Sequence, residues 1–139
     1  MKKFLLILIM ILSVVAVSAE QDERLLNALK SCQPYVGYGS LEVKGVSADY
    51  KTQVVGLDEQ NRCVYKKYVT VFDQELCTVC KFTRYHVSEI VRTMNTYEVG
   101  YNESGEEVDI EDVEAIKNTP VVKLWNRYLN DPSICNVEL

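Results

Sequence analysis

Five cysteines constrain the fold of this chain more than any other feature of its sequence. They are Cys32, Cys63, Cys77, Cys80 and Cys135. Cysteines of a small domain in an oxidising compartment mostly pair into disulfides. Because five is an odd number, at most two intramolecular bridges form and one thiol stays outside them, and the spacing alone leaves every pairing open. We therefore expect a disulfide-stapled domain with one odd thiol.

The first nineteen residues have the pattern of a secretory signal peptide. Lys2 and Lys3 form a basic start, an apolar run extends from Phe4 to Val17, and small residues end at Ala19, before Glu20. The apolar run is shorter than the roughly 20 residues that a membrane-spanning helix needs. We predict a signal peptide at residues 1–19 and a single domain at residues 20–139. The domain is expected to be exported, to a periplasm or outside the cell, with no membrane attachment after cleavage.

The charge of the predicted mature chain limits its partners. Removing Lys2 and Lys3 with the leader leaves 13 basic against 20 acidic residues, a net charge of −7. A surface of that sign repels phosphate backbones, and the sequence has no basic stripe. We therefore predict no nucleic-acid partner, and the same net surface charge disfavours binding to an anionic lipid surface.

The first half of the chain predicts a helix followed by a sheet. Apolar residues from Asp22 to Cys32 recur with the helical period, and Pro34 prevents the helix from continuing. Stretches rich in β-branched and aromatic residues then alternate with short polar turns, which favours an antiparallel meander of three or four strands. The third stretch has apolar residues on both of its faces, so we expect a central strand covered on both sides. The predicted strands are Tyr35–Val46, Tyr50–Leu57, Cys63–Phe72 and Leu76–Phe82.

The period of the apolar residues changes to helical after the fourth strand. Thr83 or Ser88 can supply the N-cap of a helix whose apolar stripe contains Ile90, and Thr83 is preferred because it directly follows the strand. Asp112–Lys117 is expected to form one or two helical turns, and Thr119-Pro120 reads as the N-cap and first residue of a helix that extends to Asn130. The predicted fold is α+β: an N-terminal helix, the meander, then two or three C-terminal helices.

Cys77-Thr-Val-Cys80 has the spacing of a redox motif, but its setting favours a structural role. Redox pairs lie at the N-terminus of a helix, where the dipole lowers the pKa of the thiol. Here the intervening residues favour a strand, on which Cys77 and Cys80 point to opposite faces. We expect different partners for the two cysteines. Cys32 and Cys135 follow helices and are natural staples onto strand cysteines, Cys63 and Cys80 are the preferred strand partners, and Cys77 is the expected odd thiol.

Other catalytic and metal-binding patterns are incomplete. Cys77, Cys80 and His86 lack a fourth ligand for zinc, and His86 is more consistent with a surface or capping role. The acidic run from Glu103 to Glu114 has Gly105 where a calcium loop needs its glycine, but that register puts Gly100 at the first ligand position. The sequence has no nucleophile elbow and no phosphate-binding glycine loop. We therefore predict no catalytic residues, no metal and no cofactor.

Two resemblances accompany these patterns. The helix followed by a meander resembles the cystatin architecture, and Gln53-Val-Val-Gly-Leu57 is similar to that family's Q-x-V-x-G hairpin motif, with Leu57 in place of the last glycine. The Pro-Trp of that family's second inhibitory loop is absent, since Trp125 lies in a predicted helix. This resemblance implies inhibition of an exported protease.

Three short segments also look like elements of small exported bacterial proteins of uncharacterised function. They are Ala28-Leu-Lys-Ser-Cys32, Asn61-Arg-Cys63-Val-Tyr65 and Cys80-Lys-Phe-Thr83. This second resemblance implies no activity.

The sequence as a whole favours a non-catalytic, exported binding protein with an unknown partner, for which another protein is one candidate. A thiol-active protein that uses Cys77 and Cys80 is one alternative, and a cystatin-like inhibitor is another. A dimer linked through the odd cysteine is also open.

Overall fold

The computed structural model of the chain describes residues 19–43, 45–109 and 111–138. Apart from its last residue, the predicted signal peptide lies outside the described residues. The described residues form four helices and five strands, and the prediction of an α+β fold is confirmed. The helices are α1 (Ala19–Ser31), α2 (Arg84–Thr96), α3 (Val113–Lys117) and α4 (Pro120–Leu129); the strands are β1 (Tyr35–Val43), β2 (Val46–Leu57), β3 (Cys63–Val71), β4 (Gln74–Phe82) and β5 (Cys135–Glu138).

The five strands form one antiparallel sheet in the order β1-β2-β3-β4-β5. The expectation of three or four strands is therefore wrong. The strand that was not predicted is β5, which pairs with β4 through four residues near the end of the chain. The expected first strand also ends earlier, because the chain turns at Gly45, whose φ of 75° lies in the region that glycine tolerates best.

The two faces of the sheet have different surroundings. The inner face, which includes Val54, Tyr65 and Phe82, packs on the helices. The outer face, which includes Lys51, Tyr68 and Cys77, keeps its side chains half-exposed. Residues of β3 accordingly alternate between buried and half-exposed along the whole strand. The strand is central, as expected, but it is fully buried on one face only.

Helix α1 ends in a motif that directs the chain into the sheet. The amide of Gln33 donates to the carbonyl of Ala28 at 3.0 Å and the amide of Cys32 donates to that of Leu29 at 3.2 Å. These are the two hydrogen bonds of a Schellman motif, which requires a left-handed residue between them. Cys32 has that conformation, with φ 49°. A cysteine thus lies where glycine is usual, and its side chain points to the start of β3.

The helices close one hydrophobic core over half of the inner face. Leu25 and Leu29 of α1, Ile90 of α2 and Trp125 of α4 belong to one buried cluster that also contains the sheet residue Phe82. The aromatic rings interlock, with ring centroids of Trp125 and Phe82 separated by 5.8 Å. Helix α2 begins at the predicted N-cap, since the Thr83 side chain accepts a hydrogen bond from the amide of His86. Pro120 lies at the start of α4 after Thr119, also as predicted.

The other half of the inner face contains buried polar groups. Lys67 is only 2% exposed, and its ammonium lies 5.1 Å from the centroid of the Tyr50 ring, an arrangement that stabilises the cation. Tyr50 also covers Gly39, its partner on β1, because a Cβ at Gly39 would come within 2.2 Å of the Tyr50 hydroxyl oxygen. The ring of Tyr50 therefore explains why position 39 is a glycine.

Candidate ligand-binding groove

The structure separates the two cysteines of the C-x-x-C sequence. Cys80 lies on the inner face and forms a disulfide with Cys135, the residue directly opposite it on β5. Cys32 forms the second disulfide, with Cys63 at the start of β3, across a Cα–Cα distance of 5.7 Å. The prediction of disulfide bonds is confirmed, and each bridge joins a strand to the residues that follow a helix. Cys77 lies outside both bridges.

Cys77 lies on the outer face in a row that crosses all five strands. Its neighbours across the strands are Tyr68 on β3 and Glu138 on β5. Partial burial raises the pKa of the Cys77 thiol, and a hydrogen bond with Tyr68 opposes that rise only in part. A nucleophilic thiol needs the opposite shift, since the thiolate is the reactive form. The surroundings of Cys77 are thus those of an inert thiol.

His86 contributes to the structure of a helix end. Its Nδ1 accepts a hydrogen bond from the amide of Thr83 at 3.1 Å, and the Thr83 hydroxyl accepts from the amide of His86 at 3.3 Å. Together these bonds form a capping box with histidine in the place of the usual glutamate. The inner-face disulfide uses Cys80, so the structure does not bring Cys77, Cys80 and His86 together as zinc ligands. Within the described ranges, no group of three metal-ligating side chains occurs.

A polar cluster joins α2 to α4. The carboxylate of Glu89 accepts hydrogen bonds from Arg127 and Tyr128, and the Tyr85 hydroxyl donates to it at 3.4 Å. The hydrogen bond from Tyr128 is the largest reason that the pKa of Glu89 is lowered. Burial raises the pKa of the Tyr128 hydroxyl. Three donors converge on one carboxylate, so this cluster connects two helices.

The acidic segment from Glu103 to Glu114 forms exposed turns and a short helix. Asn102 Oδ1 accepts hydrogen bonds from the amides of Ser104 and Glu106, and Tyr101 and Glu107 form a single antiparallel bridge that closes a loose hairpin. Asp112 caps α3 by accepting from the amide of Ala115. The polar groups of the segment are thus used for turns and a helix cap.

A cavity lies where the end of α1, the β2–β3 hairpin and the start of α2 meet. We call it the α1–α2 groove. Its volume is about 700 Å³, within the range of pockets that hold small molecules. Apolar groups form its floor and one lip, and all of them come from elements far apart in the sequence. They are Leu29, Leu57, Phe82, Val87, Val91 and the Cys32–Cys63 disulfide.

Local structure explains why the hairpin reaches the groove. Asp58 Oδ1 accepts hydrogen bonds from the amides of Gln60 and Arg62, and the Arg62 side chain forms a salt bridge with Asp58 at 3.1 Å. These bonds fix the turn, and Asn61 adopts φ 59° within it. Leu57, at the end of β2, is 62% exposed although it lines the groove. The hairpin therefore presents an apolar side chain to solvent at the lip.

The charge of the groove is opposite to that of the chain. Lys30, Arg84 and Arg92 lie on its rim, and none of its lining residues is Asp or Glu. Across the whole chain, acidic residues outnumber Lys and Arg by 20 to 15. Within the described ranges no carboxylate pairs with any of the three cations. The groove therefore combines an apolar floor with unneutralised positive charge.

Three segments that were not predicted to form a binding site meet in the groove. The end of α1 is one of them, and Phe82 with the start of α2 is another. The third is the cystatin-like stretch Gln53–Leu57, which lies at the end of β2 with an irregular register at Gly56 and contributes Leu57 to the groove. The sequence offers one indication of this site: the basic residues Arg84 and Arg92 lie beside the apolar stripe of a predicted helix.

Among the described residues, no helix combines the length and the apolarity that crossing a bilayer requires. The chain matches no protein-family model, and comparison with curated proteins and with solved structures found no similar protein.

Proposed function

We propose that this chain is an exported, non-catalytic binding protein whose ligand site is the α1–α2 groove. The observation that carries the proposal is the groove itself, with its volume of about 700 Å³ and an apolar floor that opens to solvent. Pockets of this size with mostly apolar walls and a few polar groups are typical of small-molecule sites. The signal-peptide pattern of residues 1–19 and the two disulfides support export.

The disulfides also support a preformed site. The Cys32–Cys63 bridge forms part of the groove wall and ties α1 to the strand that begins beside the hairpin. A site whose walls are covalently joined loses little conformational entropy when a ligand binds. The groove is therefore suited to binding without a large rearrangement.

The two alternative functions have weaker support. A thiol-active protein needs Cys77 and Cys80 on one side with a lowered thiol pKa, whereas these residues lie on opposite faces and the pKa of Cys77 is raised. A cystatin-like inhibitor would use Val55 and Leu57, which are both exposed. Leu57 forms the lip of the groove, so its exposure does not favour protease inhibition over ligand binding.

Binding to the groove is tested with Nile red, an uncharged apolar dye whose fluorescence rises in apolar surroundings. The double substitution Leu57→Ser with Val87→Thr removes apolar surface from the groove, and we expect it to weaken saturable dye binding about three- to tenfold. The control is Phe72→Ser with Val79→Thr, which also replaces one large apolar residue by serine and one valine by threonine, but outside the groove. Equal dye affinity in both double variants, or no saturable binding to the native protein, would refute the proposed site.

Export and the state of the cysteines are tested together. The full chain is expressed in a secreting host, and the released protein is analysed by intact mass and by peptide mapping without reduction. We expect an N-terminus at Glu20, bridges Cys32–Cys63 and Cys80–Cys135, and a Cys77 that alkylating reagent can modify. A dimer linked through Cys77 would appear as a doubled mass that reduction halves. Retention of residues 1–19 in the cell-associated fraction would contradict export.

A further inference from the structure

We propose that the ligand of the α1–α2 groove is a single-chain amphiphile with an anionic head. The proposal rests on the proposed function of the groove as a binding site. The apolar chain lies on the floor between α1 and α2, beside Leu29, Val87 and Val91, and the head lies among the three rim cations.

The first argument is the local charge. An acidic protein that places Lys30, Arg84 and Arg92 around one depression, with no carboxylate among the lining residues, attracts anions to that depression although its net charge is negative. The three cations have no carboxylate partner within the described ranges, so an incoming anion displaces no existing ion pair. An anionic group therefore gains Coulomb energy here without breaking an internal contact.

The second argument is the arrangement of cations and apolar groups. Arg84 and Arg92 are separated by eight residues on α2, which is about 12 Å along a helix axis. The half-buried side chains of Val87 and Val91 lie between them on the groove side of that helix. A compact inorganic anion would leave this apolar surface in water. An amphiphile covers it and reaches the charged rim with the same molecule.

The third argument concerns the boundaries of the groove. A smaller depression of about 380 Å³ continues along the two helices and shares Lys30 and Val91 with the groove. Glu23 lies at that end, so the carboxylate is outside the groove itself but close to its continuation. The charge pattern thus favours an anionic head on the groove side of Lys30.

Four probes with chains of equal length test the head group by calorimetry, below their micelle concentrations: dodecanoate, dodecyl sulfate, dodecanol and dodecylamine. We expect the two anions to bind at least fivefold more tightly than the alcohol, and the amine to bind more weakly still. Butanoate tests the floor, and we expect it to bind at least a hundredfold more weakly than dodecanoate, because most of the buried methylene groups are missing. The two anions distinguish a carboxylate from a sulfate- or phosphate-type head.

Matched variants locate the charge. The triple variant Lys30→Gln, Arg84→Gln, Arg92→Gln is expected to weaken dodecanoate binding about tenfold while leaving dodecanol binding unchanged. The control Lys81→Gln, Lys117→Gln, Lys123→Gln removes the same total charge outside the groove and is expected to change dodecanoate binding less than twofold.

The outcomes separate the two proposals. One outcome would keep the site but refute the ligand class. Nile red would bind in the groove, the native protein would bind dodecanoate no more tightly than dodecanol, and the Lys30/Arg84/Arg92 variant would bind dodecanoate as tightly as the native protein. If the two triple variants weaken dodecanoate binding equally, the effect is general charge and the proposed head site is overturned. If neither Nile red nor any of the four dodecyl probes binds, the proposed function fails together with this inference.

Discussion

Cys32, the left-handed residue that ends α1, is covalently bonded to Cys63, the first residue of β3. The bond joins the only helix that precedes the sheet in the described residues to the central strand of that sheet. It also forms part of the wall of the α1–α2 groove. One bond therefore connects the stability of the fold to the shape of the site.

Replacing Cys32 and Cys63 together by alanine is expected to lower the free energy of unfolding by about 2–5 kcal/mol, because the unfolded chain loses a cross-link. Urea unfolding followed by the fluorescence of Trp125 measures the loss, since this single tryptophan is buried 5.4 Å from the ring centroid of Tyr65. The control Cys77→Ala breaks no bridge and is expected to cost less than about 1 kcal/mol. A loss in the double variant no larger than in the control would show that the bridge does not stabilise the fold.

The Cys77 thiol is expected to react slowly with iodoacetamide in the native protein near neutral pH. Burial raises its pKa above the ordinary value of 9.0, so the thiolate fraction is lower than that of an exposed cysteine. The pH profile of the alkylation rate measures this directly, and unfolding in guanidinium should accelerate the reaction and shift the profile to lower pH. Fast labelling of the native protein near pH 7 would instead revive the thiol-active alternative.

Glu89→Gln is expected to lower the free energy of unfolding at pH 7 by about 1–2 kcal/mol. The substitution keeps the shape of the side chain but removes the charge that accepts hydrogen bonds from Arg127 and Tyr128. The ion pair with Arg127 contributes little of this free energy, because the Arg127 side chain is 62% exposed.

The effect of Glu89→Gln has a defined dependence on pH. The pKa of Glu89 is lowered in the fold from its ordinary value of 4.5, first by the hydrogen bond from Tyr128. A depressed carboxyl pKa contributes stability that is present above the unfolded value and is lost as pH falls through the folded value. The difference in stability between native protein and variant should therefore narrow as pH falls below about 4.5 and through the lower pKa of folded Glu89. A difference that is independent of pH would rule out the charge of Glu89 as its cause.

His86→Gln is expected to flatten the dependence of stability on pH below the ordinary histidine pKa of 6.5. His86 must be neutral to accept the hydrogen bond from Thr83, and burial is the main cause of its lowered pKa. Glu89 and Asp131 act against that shift, and Arg127 acts with it. A lowered histidine pKa means that stability is complete above the unfolded value of about 6.5 and is lost as pH falls through the folded value. Glutamine accepts at every pH, so equal slopes in native protein and variant would contradict the role of His86 in the capping box.

Elements with strong local signals were predictable from the sequence. Thr83 follows a strand and caps the helix that comes after it, so capping chemistry determines the start of α2. The start of α4 follows from Pro120 at its first position, since Thr119 makes no side-chain cap hydrogen bond there. The same reasoning does not identify β5. Cys135-Asn-Val-Glu138 has no alternation that distinguishes it from a tail, and it becomes a strand through its pairing with β4 and the bridge to Cys80.

The groove could not be predicted because no contiguous stretch encodes it. Its walls include Leu29, Leu57 and Val87, which come from a helix, a hairpin and a second helix. Their proximity depends on how α1 and α2 lie across the inner face, and local periodicity does not determine that placement. The burial of Lys67 was hidden for a similar reason, because only the register of the sheet places its ammonium over the ring of Tyr50.

The order of the cysteines along the chain has a consequence for oxidative refolding. The first bridge joins the first two cysteines, which are 31 residues apart, although Cys77 and Cys80 are both nearer to Cys63 along the chain. The second bridge joins Cys80 to Cys135. Cys77 lies only three residues from Cys80 along the chain, so it competes with Cys80 for Cys135. On a formed β4, Cys77 and Cys80 point away from each other, whereas in an unstructured chain both are equally available. Folding of β4 before the second bridge is oxidised therefore favours the native choice of thiol.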